Sequence, residues 1–438
     1  MALSEAERAL VDAVGAGREE LVALLADLIA FDTTARAAPD EPPREEAALQ
    51  DYVAGRLRVA GADVDVWEPD PADVEGSRLA PRGGVRFDGR PQLAARFPGA
   101  GDGPSLLLNG HVDVVSSEPR ERWTSDPNRA EVRGGRVYGR GACDMKGGIA
   151  AMVLAAETLA RVEFALAGDL VLCTVTDEES TGVGALAAVA HGVGADAGIV
   201  TEPSGFDVWV ACRGSLIPTI TVPGRPGHAG LPQPDWREGG AVNAIDKADV
   251  VRDALRRLAD DWRRRPDNRH PYLSPPDVVP CVIDGGDWPV TVPASCSLTY
   301  HVAYLPAHAD ADGWGADVVR EIAERIADAA SRDPWLAENP PAITWAPEVP
   351  SSEVSPDEPV VAELLAASAD VGRVGRVAGL DNWHDGATFT RFGATPSVCF
   401  GPGDVRLAHS IDESVPVDDL VDCARALAVA AVRFCGAA

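Results

Sequence analysis

Ser105-Leu-Leu-Leu-Asn-Gly-His-Val-Asp113 is a short apolar run that ends in a histidine and a carboxylate two residues apart. Asp102-Gly-Pro104 precedes the run and Asn109-Gly110 interrupts it, so its length and flanking residues favour a buried central strand over a helix. Side chains two residues apart in a strand share a face, so His111 and Asp113 should point the same way. Asp113 would then orient the imidazole or join it at a cation, although an ordinary strand end could carry the same pair.

The length, composition and net charge of the chain limit the classes of protein and of partner that need to be considered. The 438 residues suffice for two or three domains, and 46% hydrophobic with 24% charged residues is typical of a globular protein. A formal net charge of -29 argues against nucleic acid and anionic membrane surfaces, because both would repel the chain. The amino terminus lacks a basic segment followed by an apolar one, and the cysteines form no Cys-x-x-Cys pair. We therefore expect a cytoplasmic protein with reduced, mostly buried thiols and no membrane span.

Asp144 stands in a glycine-rich loop, Tyr138-Gly-Arg-Gly-Ala-Cys-Asp-Met-Lys-Gly-Gly148, that leads into a helix predicted over residues 149–159. Glycines on both sides permit a tight turn that exposes the carboxylate at the helix entry. A helix N-cap would be a simpler role for this aspartate. A cap does not need so many glycines, so the loop favours a functional carboxylate.

Carboxylates also follow the next two predicted strands. Glu178 and Glu179 come after a strand predicted at residues 169–176, and Glu202 comes after one at residues 197–201. Alternating strands and helices predict a largely parallel α/β sheet, whose ligands lie beyond the carboxyl ends of the strands. A solvated acidic loop would explain any one of these positions alone. Their repetition predicts one site at the sheet edge, built from His111, Asp144, Glu178, Glu179 and Glu202.

Residues 213–348 interrupt this alternation. They predict strand, helix, two strands, helix and strand, the β-α-β-β-α-β order of ferredoxin-like domains. The chain then returns to the first pattern, with a strand at residues 397–400 and an amphipathic helix at residues 417–434. The sequence thus predicts an α/β catalytic domain with a mostly parallel sheet, residues 1–212 and 349–438, and an inserted ferredoxin-like α+β domain, residues 213–348.

His409 lies past a strand of the last segment and adds a second histidine to the set. Histidine and carboxylate ligands without thiolate favour zinc, with cobalt, manganese or nickel as substitutes. Two histidines and three carboxylates exceed one tetrahedral ion and suit two ions roughly 3.5–4 Å apart, bridged by a carboxylate and a water molecule. Of the adjacent pair Glu178 and Glu179, one would bind metal while the other stays free as a base.

The chain resembles a family of co-catalytic metal amidohydrolases that includes acetylornithine deacetylase, succinyl-diaminopimelate desuccinylase, aminoacylase and the glutamate carboxypeptidases. The motifs that carry the resemblance stand in family order: Gly110-His-Val-Asp113, Gly139-Arg-Gly-Ala-Cys-Asp-Met-Lys-Gly-Gly148, Asp177-Glu-Glu-Ser-Thr-Gly182, Thr201-Glu-Pro-Ser204 and Ala408-His-Ser410. They extend over most of the chain. The resemblance implies an enzyme that hydrolyses the amide bond of a small N-acyl, amino-acid-like substrate.

The resemblance also implies the ligands of two divalent metal ions, most simply zinc, with cobalt or manganese as alternatives. Asp144 would bridge the two ions. His111 and Glu202 would complete one site. Glu179 and His409 would complete the other.

Three further roles follow from the resemblance. Glu178 would act as the general base and then as the acid that protonates the leaving amine. Asp113 would support His111. The inserted domain would be the dimerisation lid of a homodimer, with His228 reaching the partner subunit's site to stabilise the tetrahedral oxyanion.

Two lid motifs depart from the family pattern. Family members often carry Asp-x-Arg before Leu-Pro, but Tyr300-His-Val-Ala-Tyr-Leu-Pro306 lacks that arginine, and Val290-Thr-Val-Pro293 lacks the usual asparagine. The substrate would then lack an α-carboxylate, or another side chain would bind it. The candidates for that contact are Arg225, Arg391, His301 and His384.

Other functions are compatible with the same scaffold. A dipeptidase or carboxypeptidase would use the same metal centre. A ureido-hydrolase fits less well, because relatives acting on carbamoyl substrates usually show histidine where Glu202 stands. A catalytically silent ligand-binding protein would have no need of a free base such as Glu178.

Overall fold

The computed structural model describes residues 3–36, 41–81, 83–311 and 313–438. Within these residues the chain forms two compact units. The first unit contains Met1–Ala211, Ser352–Gly379 and His384–Ala438, and the second contains Cys212–Ser351 and Leu380–Trp383. The short segment at residues 380–383, predicted in the catalytic domain, groups with the second unit. Its Asp381 accepts hydrogen bonds there, from Arg213 Nε to its backbone carbonyl at 2.9 Å and from the Ser274 amide to its carboxylate at 2.7 Å.

The helices are given in chain order. The first unit begins with α1 (Glu5–Ala16), α2 (Arg18–Ala30), α3 (Glu46–Val59), α4 (Lys146–Arg161) and α5 (Val183–Ala190). The second unit contains α6 (Ala244–Arg264), α7 (Ala316–Ser331) and α8 (Pro334–Glu338), and the first ends with α9 (Pro359–Asp370), α10 (Gly386–Phe392) and α11 (Val417–Cys435).

The strands follow the same order. They begin with β1 (Asp63–Trp67), β2 (Gln92–Phe97), β3 (Leu106–His111), β4 (Glu131–Arg133), β5 (Arg136–Tyr138), β6 (Leu170–Val175), β7 (Ala197–Val200) and β8 (Val208–Cys212). The second unit adds β9 (Gly214–Leu216), β10 (Pro218–Pro223), β11 (Asp277–Gly285), β12 (Ser295–Tyr304) and β13 (Ala342–Trp345). The last are β14 (Ser352–Glu353), β15 (Val377–Leu380), β16 (Ser397–Cys399) and β17 (Ser414–Pro416).

The first unit is a mixed α/β fold built around one large sheet. The strand order is β1-β2-β6-β3-β7-β16-β8-β14, with β15 paired to β8. The central strands β6, β3, β7 and β16 run parallel, whereas β1 and β2 are antiparallel to their neighbours and β8 is antiparallel to β16. The sheet predicted to be mostly parallel is therefore mixed, with parallel strands at its centre. All residues of β3, β7 and β16 are buried, so these strands show no alternation of buried and exposed positions, as is typical of parallel strands covered by helices.

The second unit has an antiparallel sheet of order β11-β12-β10-β13, with β9 beside β12. Its elements follow the chain as β10-α6-β11-β12-α7-β13. Helix α6 begins at the N-cap Asn243 and buries Val251, Leu255, Leu258 and Trp262, which recur every three or four residues. This stripe packs on the sheet and on α7, and gives the unit its own hydrophobic core.

Two predictions about the chain as a whole can be set against the structure. None of the helices within the described residues is long and apolar enough to cross a membrane. The cysteines at positions 143, 173, 212, 296, 399, 423 and 435 are free and buried, and Cys281 is free and exposed.

Candidate active site

The central strands bring the predicted site residues of the first unit to one edge of the sheet. His111 is the last residue of β3 and pairs with Val175 at the end of β6, so Glu178 and Glu179 follow at the same level. The amide of Thr201 donates to the Asn109 carbonyl at 3.0 Å, which brings Glu202 alongside. The parallel register thus explains why residues far apart in the sequence meet at the carboxyl ends of these strands.

Asp144 reaches this edge because α4 packs unusually close to the sheet. A Cβ atom on Gly148 would lie 2.0 Å from the Thr201 carbonyl oxygen, so only glycine permits this approach. Gly141 has φ +79°, which allows the turn before the helix. The N-cap of α4 is Met145, so Asp144 does not serve as the cap and its carboxylate is available to the site.

Asp144 lies between two groups of potential ligands. One group contains His111, Asp144 and Glu202, and the other contains Asp144, Glu179 and His409. In each group the ligand atoms lie within 4.8 Å of one another.

The two oxygens of Asp144 face different histidines. Oδ1 is 3.2 Å from His111 Nε2, and Oδ2 is 3.3 Å from His409 Nε2. His111 Nε2 is also 3.7 Å from Glu202 Oε1, and His409 Nε2 is 3.1 Å from Glu179 Oε2. A carboxylate that shares its oxygens between two histidine-carboxylate groups has the arrangement needed to bridge two cations.

The electrostatics of the site favour added positive charge. Burial and neighbouring carboxylates raise the pKa of Glu178 and of Glu202 well above the ordinary range. Burial also opposes ionisation of Asp144, but hydrogen bonds with the two histidines lower its pKa. Hydrogen bonds to Asp144 and Glu179 raise the pKa of His409 to about 10. Crowded buried carboxylates of this kind require protons or cations to offset their charge.

The chemistry of the donors also fits metal ions. Glu179 Oε1 is buried and has no hydrogen-bond partner among the described residues, although Oε2 contacts His409. The Nδ1 atom of His111 bonds to the backbone carbonyl oxygen of Asp113 at 2.9 Å. If that nitrogen carries the proton, the Nε2 lone pair faces Asp144 and Glu202 as a ligand would.

The Asp113 carboxylate has a different set of partners from the predicted one. It lies 3.7 Å from His111 Nδ1, beyond a good hydrogen bond, and instead accepts the backbone amides of Glu178 at 3.3 Å and Glu179 at 3.1 Å. His111 is therefore held by the backbone of Asp113, while the side chain of Asp113 fixes the loop of the two glutamates. Burial raises the pKa of Asp113 to about 6.

Sequence reasoning missed an ion pair behind this loop. Asp177 has φ +74°, a left-handed conformation that is rare for a non-glycine residue. Its carboxylate accepts Arg90 Nη1 at 2.7 Å, and Arg90 Nε donates to the buried Glu46 at 3.0 Å. The pair supports the strained residue that precedes Glu178. No local signal could identify it, because its partners are 87 residues apart in the sequence.

Of the four residues predicted to bind a substrate carboxylate, the structure shows a packing role for Arg225 and burial for His384. Arg225 donates to the Trp236 carbonyl at 2.5 Å and lies over the Trp335 ring, which is a packing role. His384 is buried in the first unit, where burial lowers its pKa to about 4. The neighbouring Asp385 is also buried, and burial raises its pKa to about 8.

The other candidate residues are not members of either ligand group. His301 is half-buried on β12 of the second unit, and Arg391 lies in α10 of the first. His228, also in the second unit, is exposed, and its Nδ1 accepts the amide of Gly230 at 3.1 Å.

A cavity of about 350 Å³ adjoins the second ligand group. Its walls include Glu179, Ser180, Thr181 and Arg90. A larger cavity, about 730 Å³, lies among Glu20, Arg56 and other residues of α2, α3 and α4 and contains none of the predicted site residues. Of the two ligand groups, only Glu179 lines the smaller cavity, whose wall also includes the Arg90–Asp177 ion pair.

The sequence also matches a family model. Residues 107–433 match peptidase family M20/M25/M40, so the chain belongs to this family. It is accordingly a metal-dependent amidohydrolase, and the resemblance inferred from the motifs is confirmed.

Individual relatives extend over nearly the whole chain. The chain is 28% identical to N-formyl-4-amino-5-aminomethyl-2-methylpyrimidine deformylase of Bacillus subtilis, over 95% of both chains. It is 31% identical to acetylornithine deacetylase of Myxococcus xanthus, over 95% of this chain and 98% of that one. The fold is similar to that of Dug1p, a di-peptidase of Saccharomyces cerevisiae, with a TM-score of 0.72, 13% identity and 99% of each chain covered.

Proposed function

We propose that this enzyme removes a small acyl group from the nitrogen of a small amine or amino-acid-like compound, using two divalent metal ions. The observation that carries the proposal is Asp144, whose oxygens lie 3.2 and 3.3 Å from the histidines of two ligand groups. Zinc is the expected metal because the donors are imidazole and carboxylate, and cobalt or manganese could replace it. His111 and Glu202 would complete one site, and Glu179 and His409 the other.

Bound ions would lower the pKa of a water molecule and polarise the amide carbonyl. Glu178 lies in this site, with Oε2 3.9 Å from His111 Nε2, but belongs to neither ligand group. It would take the proton of the attacking water and later give it to the amine nitrogen as the carbon–nitrogen bond breaks. One water is consumed, and a carboxylate and an amine are released.

The proposed substrate is an N-formyl or N-acetyl compound that need not carry an α-carboxylate. Two named relatives with nearly full coverage are a deformylase and a deacetylase, which supports a short acyl group. The lid lacks the arginine expected from the family pattern, and Arg225 is occupied with packing around Trp236 and Trp335.

We further propose that the second unit is a ferredoxin-like dimerisation lid. Strand β11 lies at the edge of its sheet and exposes Val279, Val282 and Ile283. An exposed apolar edge strand can pair with the same strand of a second copy, which gives a twofold homodimer. His228 is exposed and outside both ligand groups, so it is available to a partner subunit's site, where it would donate to the oxyanion.

One experiment tests the proposed reaction. Purified enzyme is analysed for bound metal and assayed with N-formyl amines, N-acetyl amines, N-acetyl amino acids and dipeptides. We expect two ions per chain and the fastest turnover with a short acyl group. Turnover of dipeptides alone would identify a peptidase instead, and absence of turnover with metal bound would exclude the proposed deacylase.

A further inference from the structure

A buried ion pair that is not part of either ligand group joins the loops carrying Asp144 and His409. Glu413 is completely buried and Arg140 is only 4% exposed. Arg140 Nη1 donates to Glu413 Oε2 at 2.6 Å. The residues are 273 positions apart, so the pair ties two distant segments of the first unit together.

Glu413 also holds the backbone around Asp144 directly. Its Oε1 atom accepts the amide of Cys143 at 2.8 Å and the amide of Asp144 at 3.0 Å. Its backbone carbonyl accepts the amide of Gly139 at 3.1 Å. One carboxylate therefore fixes the main chain of the residue whose two oxygens face both histidines.

Arg140 makes a further contact with the His409 loop and one with the loop of Ser116. Its Nη1 lies 3.4 Å from the carbonyl oxygen of Ser410, the residue after His409, and its Nη2 donates to the Ser116 carbonyl at 3.0 Å. The guanidinium lies 5.0 Å from the centre of the Trp123 ring, which limits its movement. The ion pair thus links the Asp144 loop with the His409 loop.

The second ligand group depends on this link more than the first. His111 and Glu202 of the first group are buried at the ends of neighbouring strands. His409 is exposed, lies in a loop and has φ +58°, a conformation that must be held by its surroundings. A displacement of the loop would move His409 away from Asp144 while His111 and Glu202 kept their places.

We propose that Arg140 and Glu413 are positioning residues that set the affinity of the metal site formed by Asp144, Glu179 and His409. The inference rests on the proposed two-metal function. It predicts that losing the pair releases the ion at this site before the ion at His111 and Glu202. Replacing a residue that holds a metal ligand in place commonly lowers metal affinity by about 10- to 100-fold.

The test compares two Glu→Gln variants. In Glu413→Gln, the new amide group faces donors on every side, because Arg140 and the amides of Cys143 and Asp144 all donate. The control is Glu157→Gln on α4, which breaks another little-exposed ion pair, with Arg56 at 2.7 and 2.9 Å. Each substitution removes one carboxylate charge, but only Glu413 contacts the Asp144 loop.

Metal content after dialysis, titration with Zn²⁺ and Co²⁺, and unfolding temperature are measured for both variants and the wild type. We expect Glu413→Gln to keep one ion, to bind the second about 10- to 100-fold more weakly, and to regain activity at high metal concentration. Glu157→Gln should keep both ions at wild-type affinity even if its unfolding temperature falls. Arg140→Lys, which retains charge but loses the planar fork, should show a smaller loss of the second ion and provides the test if Glu413→Gln does not fold.

Different results separate the possible failures. Wild-type affinity for both ions in folded Glu413→Gln, or in Arg140→Lys if that variant alone folds, would overturn the inference. Equal loss of the second ion in Glu157→Gln would also overturn it, because the effect would then be general destabilisation. A wild type that binds fewer than two ions would instead overturn the proposed function on which the inference rests.

Discussion

The imidazole of His111 is held by the backbone of Asp113, at 2.9 Å from Nδ1 to the carbonyl oxygen, and not by the Asp113 carboxylate, which is 3.7 Å away. The carboxylate accepts the amides of Glu178 and Glu179 instead. A single residue therefore orients a candidate ligand through its main chain and the candidate base through its side chain. A substitution of the Asp113 side chain should therefore affect the loop of the two glutamates and leave the backbone bond to His111 in place.

Asp113→Asn should weaken the loop that carries Glu178 and Glu179. The amide has one acceptor oxygen, so one of the two backbone N–H groups loses its partner, at a cost of about 1–3 kcal/mol. We expect kcat/KM to fall about 10- to 100-fold, while the backbone bond to His111 persists. Steady-state kinetics with parallel urea unfolding checks both effects, and wild-type kcat/KM would contradict the assignment.

The adjacent glutamates should respond differently to the same substitution. Glu178→Gln removes the proposed base but no ligand, so kcat should fall about 10²- to 10⁴-fold with both metals retained. Glu179→Gln replaces a proposed metal ligand and should lower metal content as well as activity. Metal analysis and kinetics of the two variants provide the comparison. If Glu178→Gln kept full turnover, the proposed mechanism would be wrong.

His384 should make stability depend on pH. Its pKa is lowered to about 4 by burial, against about 6.5 for an ordinary histidine. Between these pH values the unfolded chain therefore binds more protons than the folded chain. The free energy of unfolding falls by up to about 3 kcal/mol as the pH decreases from about 6.5 to about 4. His384→Asn should remove this loss, because Asn does not titrate but can still accept the Gly386 amide that His384 Nδ1 accepts at 3.1 Å.

Urea unfolding at several pH values between 7.5 and 4.5 measures the difference between the wild type and His384→Asn. The free energy of unfolding of the variant should fall less over this interval. Parallel curves for the two proteins would show that His384 is not buried as a neutral imidazole.

Ile283→Lys should disrupt the proposed dimer. Ile283 is 56% exposed on the edge strand β11, where a charge would oppose pairing with a second copy. Light scattering after gel filtration should show a monomer. An activity assay should show greatly reduced turnover, since His228 would no longer reach a partner site. Val59→Lys is the control, because Val59 is 91% exposed on α3 in the first unit and should leave the oligomeric state unchanged.

Mixing two inactive variants tests the role of His228 in the same dimer. Glu178→Gln and His228→Ala complement each other only if His228 acts in the partner's site. About one quarter of wild-type activity is expected after random exchange of subunits, because half of the dimers are mixed and each mixed dimer has one complete site. No recovery, with exchange demonstrated, would show that His228 does not act in the partner's site.

Much of the site could be predicted because most of the candidate ligands stand at the end of a recognisable local element. His111 ends an apolar run, Glu179 and Glu202 follow two more, and Asp144 precedes a helix. Parallel strands align their carboxyl ends, so these positions converge without knowledge of side-chain contacts. The antiparallel pairing of β2 with β6 and of β16 with β8 was not predicted, because it joins strands that are far apart in the sequence and leaves no local signal.

The sequence by itself determined the family, the alternation of strands and helices, and the residues that meet at the sheet edge. Only the tertiary structure decided that Asp113 holds the glutamate loop, that Arg90 supports Asp177 and that Glu413 with Arg140 ties two loops together. The physical reason is the distance along the chain. A strand or turn is specified by its own residues. A buried ion pair joins segments that are tens or hundreds of residues apart. It forms only when the folded core brings both charges out of water to the same place.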